Sequence, residues 1–389
     1  MNIEAIQAAI RAEGLDGWLF FDHHQRDPLA YRVLQFKPEG IVSRRWYYFV
    51  PAAGEPRKLV HRVEPFTLDA LPGSRRLYSG WREQRNELAQ LVSGARRVAM
   101  QYSPRCAIPY VAMVDAGTIE LVRELGVEIA SSADLVQYFE ARWTRQQFES
   151  HIEAGRLVDD IRRRAFEFIG DALRSRRTVR EWDVQAFITG QFAVHGLFTD
   201  HGPNVSVNAN ASNPHYEPQP DSSAEIRPGD VVLIDLWAKL DQPDSVYYDI
   251  TWMGFCGPSP PSALENVFGV VREARDRAIG RVQDAAASRH TLRGFEVDDA
   301  ARSYIREQGY GDYFFHRTGH SIGVDVHGTG ANMDNLETHD DRRVIPHTCF
   351  SIEPGIYLSD FGVRSEVNMF FDETNARVTG EKQERLVLI

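Results

Sequence analysis

A chain of 389 residues, 43% hydrophobic and 25% charged, is longer than one core of roughly 100–200 residues holds, and no stretch reaches the roughly 20 apolar residues a membrane helix needs. The net charge of -11 has the wrong sign for a nucleic-acid backbone as partner. Cys106, Cys256 and Cys349 are widely spaced, which excludes a thiolate zinc site and a disulfide framework, so any metal here rests on His, Asp and Glu. Two domains in a cytoplasmic protein are expected, with neither membrane nor nucleic acid as partner.

In chain order, Ile3, Ile6 and Ile10 form the stripe of an amphipathic helix stopped near Gly14, and Trp18 to Phe21 reads as a strand. Trp46 to Val50 and Lys58 to Val60 read as paired strands, Glu87 to Val92 as helix and Arg97 to Met100 as strand. A helix over Asp115–Leu125 and a strand over Val127–Ala130 follow. Residues 1–143 thus alternate as a small α/β domain. At Thr144 a capping box with Gln147 opens a helix of about 30 residues, and the spacing of Phe148, Ile152, Leu157, Ile161 and Phe168 predicts its buried face. Thr178 with Glu181 predicts a second capping box. A polar loop over Thr199–Asp230 leads to strands at Val231–Lys239, Tyr247–Gly254, Thr348–Glu353 and Val363–Phe371. Two helices, Ser262–Ala286 and Glu296–Glu307, lie between them, so residues 144–389 are expected to form an α+β domain.

The residues with chemistry sit in that second domain. Asp235 and Asp249 lie in adjacent apolar strands, where facing carboxylates repel unless a cation lies between them. Glu353 and Glu366 repeat the arrangement, with Arg364 on the same strand face as Glu366 and available for a salt bridge to it. His316, His320, His327, His339 and His347 crowd into one segment, and glycines at 319, 323 and 328 indicate tight backbone rather than helix. His215 lies in the polar loop. Four carboxylates and an imidazole make a hard donor set for two divalent ions, manganese first, with zinc or cobalt also accommodated, and such a pair supports hydrolysis.

These motifs resemble the pita-bread dinuclear metallopeptidases, in the branch of prolidase (Xaa-Pro dipeptidase) and aminopeptidase P. The resemblance rests on Asp235, Asp249-Ile-Thr251, Gly319-His320 with His327, Glu353-Pro-Gly-Ile-Tyr357 and Gly362-Val-Arg-Ser-Glu366, in that order, and covers roughly Thr144 to Phe371. It implies a C-terminal pita-bread catalytic domain behind a smaller N-terminal α/β domain. It also implies that Asp235, Asp249, His320, Glu353 and Glu366 hold two divalent ions bridged by a hydroxide, with Glu353 as general base. His215 and His327 are implied to steady the substrate carbonyl, His316 to border the proline pocket, and Tyr357 and Arg364 to line the site. The implied substrates are short proline-containing peptides, dipeptides before longer ones, and the implied assembly is a homodimer. A metal-free hydrolase resembling creatinase and a non-catalytic binding module are disfavoured because all five ligand positions are kept. Trp252, Gly328 and Val367 depart from residues common in the family. A dipeptidase needs a cation for the substrate's free carboxylate, and Arg342 and Arg343 are the candidates.

Overall fold

The computed structural model describes residues 2–389, which pack as two units, one ending at Glu140 and one over Ala141–Ile389. The junction falls just ahead of the Thr144 cap because Trp143 is already part of the second unit, its ring 5.7 Å from Phe370 and 4.9 Å from His151. Among the described residues no helix is long and apolar enough to cross a membrane.

The first unit is a six-stranded sheet with helices. In chain order it holds α1 (Ile3–Ala12), β1 (Gly17–Asp22), α2 (Pro28–Val33), β2 (Trp46–Pro51), β3 (Arg57–His61), β4 (Ser74–Tyr78), α3 (Trp81–Leu91), β5 (Arg97–Met100), α4 (Ala116–Arg123), β6 (Glu128–Ser131) and α5 (Ala133–Glu140). The strand order is β4-β3-β2-β1-β5-β6. Trp18, Phe20, Trp46 and Tyr48 point to one face and Leu19, Phe21, Tyr47 and Phe49 to the other, so both faces of the central strands are buried, each in its own apolar cluster. The edge strand β4 was not predicted, because its Ser-Arg-Arg-Leu-Tyr sequence leaves the first three residues exposed and carries no alternation of apolar side chains.

The second unit opens with α6 (Arg145–Arg174) and α7 (Glu181–Val194). Strands β7 (Leu197–Phe198), β8 (Asn204–Val207), β9 (Val231–Leu240) and β10 (Tyr248–Phe255) follow, then α8 (Ser262–Ser288) and α9 (Gly294–Glu307). It ends with β11 (Ser321–Ile322), β12 (Thr348–Ile352), β13 (Gly355–Tyr357), β14 (Gly362–Arg364), β15 (Val367–Phe371), β16 (Ala376–Thr379) and β17 (Val387–Leu388). One sheet runs β17-β10-β9-β7 with β8 also on β9, a second runs β11-β12-β15-β16, and β13 pairs with β14.

Thr144 and Gln147 close the predicted capping box of α6. The face it buries meets the predicted one only in part: Ile161 is buried and Leu157 and Phe168 pack against the core as expected, but Ile152 is 44% exposed, and Ala154, Val158, Ala165 and Ile169 complete the buried face. Small residues win because α6 lies close on the sheet, so close that a Cβ on Gly155 would stand 2.7 Å from the Tyr248 ring. A stripe counted from large side chains misses such a face. The cap of α7 also differs, being Arg180 with Asp183 rather than Thr178 with Glu181.

Candidate metal centre and substrate cavity

Antiparallel pairing of β9 with β10 sets Asp235 opposite Thr251 and Asp249 opposite Trp237. The two acids are therefore diagonal neighbours on one sheet face rather than directly opposed, a spacing that leaves room between them. Glu366 enters from the β14–β15 junction, held by its backbone N-H on the Thr251 carbonyl (3.2 Å) and by the Thr251 hydroxyl donating to its Oε2 at 2.7 Å. Glu353 follows β12 and accepts from the Ser351 hydroxyl at 3.0 Å. His320 reaches the same place because Gly319 lies against β12, where a Cβ would meet the Ser351 carbonyl at 1.9 Å. Its Nε2 stands 3.4 Å from Glu353 and 3.6 Å from Asp249.

These five side chains line one cavity of about 630 Å³, together with His215, His316, Arg317, His327, Phe315 and Arg364. Burial raises the carboxyl groups of Asp235, Asp249, Glu353 and Glu366 above the usual range, with repulsion from neighbouring acids as a further cause, and burial lowers His320. Without cations the cluster repels itself.

Arg364 supplies one fixed positive charge. Its predicted partner was Glu366, but its ion pair is with Asp235 at 2.5 Å, because Thr251 stands between it and Glu366, accepting from Nε at 3.0 Å. Its Nη1 bonds the Tyr357 hydroxyl at 3.2 Å, and that hydroxyl is 2.7 Å from His316 Nε2. His316 Nδ1 lies 2.7 Å from the Arg317 carbonyl, which only accepts, so Nδ1 carries the proton and Nε2 accepts from Tyr357. Burial lowers the His316 pKa to about 3, so the ring is neutral. His327 is likewise pushed down to about 3, first by the neighbouring His320 ring, whose centroid is 4.4 Å away, and then by burial.

The structure separates Arg342 and Arg343 from this cavity. Arg342 is buried and pairs through Nε and Nη2 with Asp340 (2.9 and 2.6 Å), while Nη1 bonds the Thr329 carbonyl at 2.8 Å. Arg343 pairs through its backbone with Arg293, and neither arginine lines the cavity. The guanidinium that does so beside Arg364 is Arg317, next to a phenylalanine, Phe315, that is 52% exposed. Among the departures from the family pattern, Gly328 has a local reason: a Cβ there would stand 2.9 Å from the Ser321 hydroxyl. Trp252 lies under the Arg162 guanidinium, 3.4 Å from its ring centroid.

A residue that the sequence assigned only to a helix cap fixes the His215 loop. Glu181 is fully buried and accepts from the backbone N-H of Val207 (2.8 Å) and Ala224 (2.7 Å), from Asn210 Nδ2 (2.9 Å) and from the Tyr216 hydroxyl (2.7 Å). Nothing near it in the sequence marks this role, since its donors come from later segments. All the groups facing it donate, so Gln in its place turns an amide N-H₂ onto a donor. Glu181→Gln is expected to cost about 3 kcal/mol in urea unfolding; a loss within about 0.5 kcal/mol, as for an ordinary surface change, would remove the role.

The chemistry of the donor set fits divalent ions. Oxygen or nitrogen atoms of Asp249, His320 and Glu366 lie within 4.8 Å of one another, and the buried Asp249 Oδ1 and Glu366 Oε1 have no hydrogen-bond partner among the described residues. Buried acceptor atoms left without donors are costly, and a cation satisfies both.

Comparison with known proteins agrees with this geometry. The signature of metallopeptidase family M24 matches residues 149–373. An Xaa-Pro dipeptidase of Lactobacillus delbrueckii subsp. lactis is 29% identical over 60% of this chain and 58% of its own length. The chain spans about half the length of the first curated relatives it matches. Among solved structures, a prolidase from Thermococcus sibiricus (TM-score 0.63, 23% identity) is covered over 98% of its chain and covers all of this one. Dipeptidase PepE from Mycobacterium ulcerans (TM-score 0.71, 21% identity) is covered over 96%, again against all of this chain. These likenesses bear out the α+β class and the pita-bread architecture. Because the family signature runs through more than half of the sequence and spans all five of the clustered acid and imidazole positions, the chain belongs to metallopeptidase family M24.

Proposed function

We propose that this protein is a metal-dependent Xaa-Pro dipeptidase, and the observation that carries the reading is the meeting of Asp235, Asp249, His320, Glu353 and Glu366 in one cavity from separate strands and loops. Asp249 and Glu366 would share two ions, with Asp235 on one side and His320 and Glu353 on the other, and the oxygen-rich set favours manganese. Bound there, the ions supply Lewis acidity toward the scissile carbonyl and lower the pKa of a water. Glu353 takes the proton from the attacking water and returns it to the departing proline nitrogen. His215 and His327 donate to the carbonyl oxygen as it becomes negative. Phe315 and His316 offer a flat, neutral wall to the proline ring. The Xaa-Pro bond suits such a site because its nitrogen has no N-H to be satisfied.

Hydrolysis of Ala-Pro against Ala-Pro-Ala, with metal stripped and restored as manganese or zinc, tests the reading. Cleavage of the dipeptide that depends on metal is expected; preference for the tripeptide moves the assignment to aminopeptidase P, and inactivity on both with every metal removes the peptidase assignment. Arg317, the guanidinium that lines the cavity beside Arg364, takes the role expected of Arg342 or Arg343, that of binding the substrate's free carboxylate. Arg317→Ala is expected to raise KM for Ala-Pro by roughly 10–100-fold, the worth of a charge-assisted pair, and to leave Ala-Pro-Ala unchanged. An equal effect on both substrates contradicts carboxylate recognition.

A further inference from the structure

The first unit carries a second cavity of about 630 Å³ that the proposed reaction does not use. Its position follows from the sheet. β1 runs parallel to β5 and β3 parallel to β4, while β2 is antiparallel to both β1 and β3, so β1, β3, β4 and β5 all point the same way. The cavity opens where these strands end: His23 follows β1, His61 closes β3, Ser79 follows β4 and Asp115 lies on the connection after β5. β1 is also where the chain order reverses, with β2 to β4 on one side and β5 and β6 on the other. In open α/β sheets the crevice outside the carboxyl ends of the strands, at such a switch point, is where ligands bind.

The side chains there are cationic. Arg26, Arg44 and Arg45 line the cavity beside His23 and His61, although the unit as a whole has equal numbers of basic and acidic residues. The acids nearby are already engaged. Asp115 caps α4 through the Thr118 N-H and hydroxyl, and Glu64 binds the backbone of Ser43 and Arg44. Asp22 accepts from the N-H groups of Gln25, Arg26 and Asp27, and Glu83 pairs with Arg62 and the Ser79 N-H. Among the described residues the guanidinium groups of Arg26 and Arg45 make no hydrogen bond or ion pair. At the cavity wall Trp81, 64% exposed, presents a flat apolar ring, and the N-cap of its helix α3 is Gly80, which places no side chain over that helix end.

We propose that this crevice binds a small oxyanion, a phosphate or carboxylate held by Arg26 and Arg45, with the apolar part of the molecule against Trp81. Guanidinium groups suit both anions, and an aromatic wall accepts the body of either.

The test uses the metal-loaded full chain and two probes of the same ring, phenyl phosphate and benzoate, in separate calorimetric titrations. A probe that reaches the metal centre does so equally in wild type and in the Arg26→Ala/Arg45→Ala double variant, so the difference between the two isotherms reports this crevice. The double variant is expected to bind at least about 10-fold more weakly, and the Arg26→Lys/Arg45→Lys pair to retain part of the affinity. Both arginines are exposed, so unchanged melting of the variants is expected and separates loss of the site from loss of the fold. Difference binding of phenyl phosphate alone, of benzoate alone, or of both identifies the anion. Identical isotherms for wild type and double variant, or no saturable binding of either probe by wild type, overturn the site.

Discussion

Glu353→Gln is expected to lower hydrolysis of Ala-Pro by at least about 10³-fold, at the upper range for a positioned proton-transfer group, while the protein stays folded and keeps much of its metal. The substitution is chosen for what it leaves in place. Gln keeps the size of Glu and the oxygen that accepts from the Ser351 hydroxyl, so the end of β12 is not disturbed. What it removes is basicity. Among the four acids Asp235 is fixed to Arg364 and Glu366 to Thr251, whereas the side-chain contacts of Glu353 are Ser351 and the His320 ring. It is also less enclosed than Asp249 and Glu366, which leaves part of its carboxylate open to the cavity. Turnover of Ala-Pro measured beside metal content separates the roles: a rate loss of about 10³-fold with ions retained supports proton transfer, and retention of wild-type turnover removes it.

How much of this was legible in the sequence depends on the range over which each contact acts. Asp235 and Asp249 were found because a carboxylate inside an apolar strand is a local anomaly, and His320 because glycines flank it. The Thr144 cap was found for the same reason, its two partners being three residues apart. Contacts closed by the fold were misread. Arg364 was given to Glu366, two residues on, but in the structure Asp235 on β9 receives it. Arg342 was read as available because nothing nearby reveals that Asp340 turns back to bind it on two sides. Arg317, adjacent to His316, carried no signal of its own until the cavity existed. Glu181 shows the limit most clearly, since it reads as an ordinary first-turn acid of α7 and becomes the centre of a buried set of donors only when β8 and the following loop fold over it.

Metal affinity is expected to climb steeply with pH and to flatten above neutrality, by about 500-fold between pH 5 and 7 if the two protons displaced are those of Asp235 and Asp249. In the metal-free protein Asp235 is raised to about 6 and Asp249 to about 7, in each case first by burial. A folded-state pKa above the ordinary value means that these groups hold protons from pH 4 upward, where free carboxyls have already lost them. A cation needs the carboxylate form, so binding expels those protons, and affinity is lost as pH falls through 7 and then 6. His320 acts the other way, because burial lowers its pKa and so reduces the proton that a cation has to displace from the ring. The proton count is read by titrating manganese into stripped protein in two buffers of different ionisation enthalpy, at pH 5.5 and again at pH 8. Release of one to two protons at the lower pH and of almost none at the higher one is the expected pair of results. No proton release at either pH, with affinity independent of pH, would mean that the acids are already ionised in the metal-free cavity and that Arg364 alone offsets their repulsion.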